Sequence, residues 1–201
     1  MKLLQRTTLL VLNLLIGACF ISGCGYNSFQ SYDETIKSSW SEVVNQYKRR
    51  ADLVPNLVKT VEGYAAHEKG VFETVTRARA QVGSIQLTPE ALNDEGAMKK
   101  FEESQALMTS AISRLLAVAE NYPQLKADGS FRDLQAQLEG TENRITVARQ
   151  RYISAIKDYN VLVRSFPSNL TAMWFGYQTK ANFTVENEQA ISEPPAIQFG
   201  S

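Results

Sequence analysis

A chain of 201 residues is long enough for one domain with a single sizeable core plus accessory segments. Its 21 basic and 21 acidic side chains cancel, so no basic field exists to hold nucleic acid or to gather anionic lipid. Both cysteines, Cys19 and Cys24, fall so close together at the start that a disulfide between them would staple nothing.

Residues 1–23 have the three-part form of a secretory signal. Lys2 and Arg6 make a short positive start, and an apolar run from Leu9 to Ile21 follows, interrupted by Asn13 and Gly17. The run falls below the ~20 residues that span a bilayer. It ends in Ile21-Ser22-Gly23-Cys24, which resembles a bacterial lipobox. Small residues at Ser22 and Gly23 let a peptidase approach the bond before Cys24, whose sulfur receives the diacylglycerol. Cys24 is then the acylated N-terminus and the membrane attachment, and Cys19 leaves with the signal. Loss of Lys2 and Arg6 leaves 19 basic against 21 acidic side chains, a net charge of −2, with no cysteine and no thiol chemistry in the domain. At ~0.8 kcal/mol per buried methylene a single acyl chain holds marginally, and several hold firmly. In a host with two membranes, Gly25 lacks the acidic character that marks inner-membrane retention, which favours the outer membrane.

From Tyr26 the pattern is helical, with Phe29, Tyr32, Ile36, Trp40, Val43 and Tyr47 at three- and four-residue steps. Pro55 predicts a kink or a very tight restart, because proline in a helix interior costs ~3 kcal/mol. A second pattern continues through Leu57, Val61, Tyr64/Ala65, Val71/Phe72, Val75, Ala78 and Val82, weakened at Gly63 and Gly70. Residues 83–95 read as a loop, with a short turn at Thr88-Pro89 as an option. A third helix is expected from about Gly96 to Tyr122, stopped by Pro123. Asp128-Gly129-Ser130 is the next turn, with Ser130 or Asp128 as N-cap. The fourth pattern is the cleanest: Phe131, Leu134, Leu138, Thr141, Ile145, Ala148, Tyr152, Ala155, Tyr159, Leu162 and Phe166, ended by Pro167. An apolar piece, 170–177, precedes a polar, acidic tail, 181–201, expected to be flexible. The fold class is all-α: an elongated antiparallel bundle of about four long helices, filling 24–180.

Few residues invite a chemical reading. His67 is the single histidine. A zinc helix of the His-Glu-x-x-His type needs a second His where Val71 stands, and a di-iron bundle needs Glu where Tyr64 stands. Neither a Gly-x-Ser-x-Gly elbow nor a phosphate-binding glycine loop occurs. The expectation is a non-enzyme with no cofactor and no metal site. Three consecutive basic residues, Lys48, Arg49 and Arg50, spread over most of a helix circumference, so at least one must face inward or toward a neighbour. Glu139, Glu142 and Arg144 lie beside the fourth stripe and offer bridges to them. With Glu62 and His67 these residues make the candidate interaction surface; a plain solvated face is the alternative. The aromatic set Tyr26, Phe29, Tyr32, Trp40, Tyr47, Tyr64, Tyr152 and Tyr159 lies largely on the stripes and is expected in the core, with hydroxyls reaching the surface.

The stretch Gln46-Tyr47-Lys48-Arg49-Arg50-Ala51-Asp52-Leu53-Val54-Pro55-Asn56-Leu57-Val58 and the following Thr60-Val61-Glu62-Gly63-Tyr64-Ala65-Ala66-His67-Glu68-Lys69 resemble the LemA family. So do Ala119-Glu120-Asn121-Tyr122-Pro123-Gln124-Leu125, Leu138-Glu139-Gly140-Thr141-Glu142-Asn143-Arg144-Ile145, Tyr159-Asn160 and Phe166-Pro167. The resemblance covers residues 26–177. It implies a helical, extracytoplasmic, membrane-attached domain with no catalytic residues to carry over. Members resembling this chain are associated with membrane-bound peptidases and other envelope proteins. The family is usually anchored by an N-terminal hydrophobic helix, from which Ser22-Gly23-Cys24 departs toward a lipid anchor. The sequence reading is therefore a lipid-anchored adaptor of the bacterial cell envelope. It has the membrane and an envelope protein as partners and no nucleic acid. A self-associating scaffold, a homo-oligomer at the membrane surface, is the rival.

Overall fold

Phe29 meets Tyr159 with ring centroids 6.0 Å apart, and Trp40 meets Tyr152 at 5.1 Å. Arg50 reaches Glu142 at 3.0 Å, and Tyr64 reaches Asp128 at 3.1 Å. Numbers rise on one side as they fall on the other, so the two longest helices run antiparallel over their whole shared length. These contacts come from a computed structural model that describes residues 2–85, 94–181 and 183. The helices are α1 (Lys2–Glu62), α2 (Lys69–Ser84), α3 (Glu95–Ala119), α4 (Pro123–Ala127), α5 (Gly129–Arg164) and α6 (Ser168–Phe175). Among the described residues there is no strand.

Two further contacts fix the directions of α2 and α3. Arg79 on α2 bonds the carbonyl of Ala51, so α2 folds back along α1. On α3, Phe101 packs on Tyr47 and Gln105 bonds Arg50, so α3 runs parallel to α1. The four long helices therefore go up, down, up and down, with α4 and α6 as short additions. The all-α antiparallel bundle expected from the stripes is the fold observed.

Lengths divide the bundle into two cores. The 16 residues of α2 span about 24 Å, whereas the 36 of α5 span about 54 Å. Where four helices meet, Val54, Leu57, Val61, Phe72, Val75, Met108, Ile112, Leu115, Leu125 and Leu138 form one cluster. Toward the N-terminal end, Phe29, Ile36, Trp40, Tyr152, Ile156 and Tyr159 form a second, closed by Ala172 of α6.

At Pro55 the restart expectation fails: α1 passes through the proline without a break. Proline has no N–H, so the carbonyl of Ala51 four residues back loses its helical donor. Arg79 supplies one, with Nε 3.1 Å from that oxygen. A neighbouring helix thus repairs the defect that the sequence introduces.

The second pattern is divided between two helices: Leu57 and Val61 belong to α1, and Phe72, Val75, Ala78 and Val82 to α2. The chain leaves the helix at Gly63 and turns through 63–68 before α2 begins. Ala65 is buried in the turn, while Tyr64 swings out and donates its hydroxyl to Asp128. Pro123 ends nothing: α3 already stops at Ala119, and Pro123 opens α4 from its first turn, where its missing N–H is harmless. Asp128, not Ser130, caps α5, accepting from the Phe131 N–H at 2.9 Å. Phe166, placed on the fourth stripe by spacing, is 80% exposed, because α5 ends at Arg164 and Ser165 is extended. The expected turn at Thr88-Pro89 lies outside the described residues, as does the tail 181–201 apart from Ala181 and Phe183.

Candidate interaction surface

Of the three consecutive basic residues, Lys48 and Arg49 face solvent and Arg50 turns inward, 2% exposed. A buried guanidinium is tolerable only when its donors are used. One terminal nitrogen bonds Thr109 Oγ1 at 3.0 Å and both oxygens of Glu142 at 3.0 and 3.3 Å. The other bonds the Gln105 carbonyl and its side-chain Oε1. The cation also lies 5.0 Å from the centroid of the Tyr47 ring. Burial pushes the Tyr47 hydroxyl up, with the positive charges of Arg149 and Arg50 working against the rise. One side chain of α1 therefore ties α3 and α5 at a single level and sets their mutual register.

This removes Arg50 from any surface a partner could touch. The other residues singled out by sequence do not form one patch. Arg144 and Lys48 are exposed and stand at similar heights, each two residues from the Arg50–Glu142 pairing. Glu139 is exposed and bound by Gln135 at 3.0 Å. Glu142 keeps 43% of its side chain open while serving Arg50. Glu62 and His67 lie at the far turn, about 20 Å further along α1 at 1.5 Å per residue. His67 stands in the turn itself, not on a helix face. Among the described residues no group of three or more His, Cys, Asp or Glu is placed to hold a metal ion. The α1 backbone is helical through Ile21, Ser22, Gly23 and Cys24, so the bundle follows the cysteine without a linker. Among the described residues no helix is long and apolar enough to cross a membrane.

The model of the LemA family matches residues 39–199. The chain belongs to the LemA family. It is also similar to two magnetosome proteins. One is MamQ 2 of Paramagnetospirillum magneticum, 27% identical over 94% of this chain and 75% of that protein. The other is MamQ of Magnetospirillum gryphiswaldense, 26% identical over 86% and 68% respectively.

Several of the LemA-like segments acquire a physical role. Tyr159-Asn160 holds down a strap made of residues 176–181 and Phe183. Asn160 bonds the main chain of Lys180 twice, Nδ2 to the carbonyl and Oδ1 from the N–H, each at 2.8 Å. Lys180 then reaches Asp33 at 3.1 Å and lies 5.4 Å from the Tyr159 centroid. Tyr177 stacks on Phe29 at 4.5 Å, and Phe183 packs at 5.9 Å from Trp40 and 5.3 Å from Tyr152. Arg149 covers Phe183 at 4.6 Å. The strap thus closes the end of the LemA domain that α2 does not reach. Partial burial raises the Asp33 pKa, but hydrogen bonds from Lys37 and Lys180 overcome it and hold the carboxyl below its ordinary value.

Sequence reasoning missed Gln105, Thr109, Asp33, Lys180 and Phe183. Only one missed contact had a readable signal: Pro55 announces an orphaned carbonyl at Ala51, and an arginine on a neighbouring helix is a natural donor.

Proposed function

We propose that this LemA-family protein is a lipid-anchored, non-enzymatic adaptor of the cell envelope, attached through Cys24 and facing out of the cytoplasm. The observation that carries the reading is the junction at Cys24. Ile21-Ser22-Gly23-Cys24 ends the apolar segment, and the next residue, Gly25, is already buried in the bundle. Nothing but the fold itself separates the acylated sulfur from the domain, so the molecule is built to stand at a membrane. Arg50, the one charged side chain buried among the described residues, is used in holding α1, α3 and α5 together, which leaves it no chemistry for a substrate. The magnetosome relatives are named for an organelle and not for a reaction, which supports the same reading. The exposed level of Lys48, Arg49 and Arg144 is the surface for an envelope protein such as a membrane peptidase.

The test is in-cell photocrosslinking from Lys48 and Arg144, with Cys24→Ser as the mislocalised control and mass spectrometry of the mature N-terminus. A discrete heterologous product that disappears in the control, with an acylated Cys24, is the expected result. Crosslinks between copies alone would replace the adaptor by a self-associating scaffold. An unmodified Cys24 would remove the lipid anchor.

A further inference from the structure

Helix α6 is inside out. Its small residues Thr171 and Ala172 are buried, 7% and 3% exposed, while Leu170, Met173, Trp174 and Phe175 are 54%, 80%, 86% and 53% exposed. Phe166, just before it in the chain, is exposed as well, and Tyr26 of α1 extends the face, its ring 5.1 Å from that of Phe175. From Phe166 to Phe175 the chain contains no charged side chain. A water-facing helix carries its polar residues outward, and a contiguous apolar patch on this scale marks a binding surface.

The position of the patch says what covers it. Gly25 and Thr171 meet so closely that a Cβ on Gly25 would lie 2.7 Å from the threonine hydroxyl oxygen. The inward choice of Thr171 and Ala172 follows from that approach, and the larger side chains are left to face away. Because Gly25 follows Cys24 directly, the apolar face sits at the point where the chain passes to its anchor. Tryptophan, phenylalanine and methionine without charge suit the interfacial layer of a bilayer, where an indole keeps its N–H near water and its ring among acyl chains.

We infer that α6, with Phe166 and Tyr26, is a membrane foot that inserts into the interfacial layer of the bilayer beside the anchor. It rests on the membrane-attached reading above. The foot adds a second contact to the one at Cys24 and so fixes the tilt of the bundle.

The chain has two tryptophans, Trp40 at 2% and Trp174 at 86% exposure, so emission reports the foot directly. The full chain is reconstituted in phosphatidylcholine–phosphatidylglycerol vesicles, with and without lipid brominated high on the acyl chain. Flotation reports anchoring and bromine quenching reports the foot. Wild type is expected to float, to shift its emission to the blue and to be quenched. Trp174→Phe should float without quenching, because Trp40 stays in the core. Leu170→Ser with Met173→Ser, both at exposed sites, should float and lose most of the quenching and the blue shift. Flotation with an unquenched Trp174 that aqueous iodide still reaches overturns the foot and leaves the anchor standing. Protection of Trp174 together with crosslinks between copies from position 173 overturns it in favour of a second copy. Failure to float overturns both readings.

Discussion

The repair of Pro55 by Arg79 can be measured with a double-mutant cycle. A hydrogen bond from a charged donor is worth about 1.5–3 kcal/mol when buried, and this one is at the surface, so about 1 kcal/mol is expected. Arg79→Met keeps the aliphatic stem over α1 and removes the donor. Pro55→Ala restores an N–H to the Ala51 carbonyl and relieves an interior proline that costs about 3 kcal/mol against alanine. Part of that gain is lost to the freer unfolded chain, about 0.4–1 kcal/mol, so a net stabilisation of about 2 kcal/mol is expected. In the Pro55→Ala background the carbonyl already has a partner, and Arg79→Met should then cost little. The coupling energy is therefore about 1 kcal/mol, read by urea denaturation followed by circular dichroism at 222 nm. Coupling within about 0.3 kcal/mol of zero would refute the repair, since additivity of that quality is what independent sites give.

Arg50→Met should destabilise by about 2 kcal/mol, below the 3–5 kcal/mol of a fully buried broken pair, because the released Glu142 can hydrate. A variant as stable as wild type in the same denaturation assay would count against the register role. Asn160→Ala should free the strap with little global unfolding; hydrogen exchange is expected to rise at Lys180 and stay low at the Leu57 level, and uniform protection would contradict the closure described. For Asp33 the folded carboxyl titrates below its unfolded value near 3.9. Its contribution is thus complete above that value and lost as pH falls through the folded one. Trp40 emission, isolated in Trp174→Phe, should change in that acid window and lose the change in Asp33→Asn; identical profiles would sink the assignment. Asp128, also held low, chiefly by the Phe131 N–H, acts in the same window at the other end, and Asp128→Asn separates the two.

The fold was legible because its signal is periodic. Phe131, Leu138, Ile145, Tyr152 and Tyr159 recur at heptad steps, and all are buried. Where the reading failed, a local rule had two outcomes. Pro55 sits inside a helix and Pro123 starts one, because a donor from α2 in the first case and a first-turn position in the second remove the penalty. Gly63 weakened the pattern on paper and ends α1 in the molecule. The Arg50 network was half visible: one of three consecutive arginines and lysines had to face inward, and Glu142 lay beside the facing stripe. Gln105 and Thr109 gave no sign, since only the parallel packing of α3 brings them there. The strap was invisible for a similar reason. Its contacts join residues far apart in sequence, as with Lys180 and Asp33, and no spacing rule connects them.

On the attachment proposed at Cys24, α1 runs unbroken from the anchor, and residue number along it becomes height. With the helix upright on the bilayer, Lys48 stands about 35 Å above Gly25 and Glu62 about 55 Å, at 1.5 Å per residue. A client with short loops over the lipid can meet only the strap and the Tyr26–Trp40 level. One with a tall outer domain can reach the turn of His67 and never touch the foot. A ladder of crosslinker positions along α1 would therefore measure how far any client projects from the membrane, in steps of one helical turn.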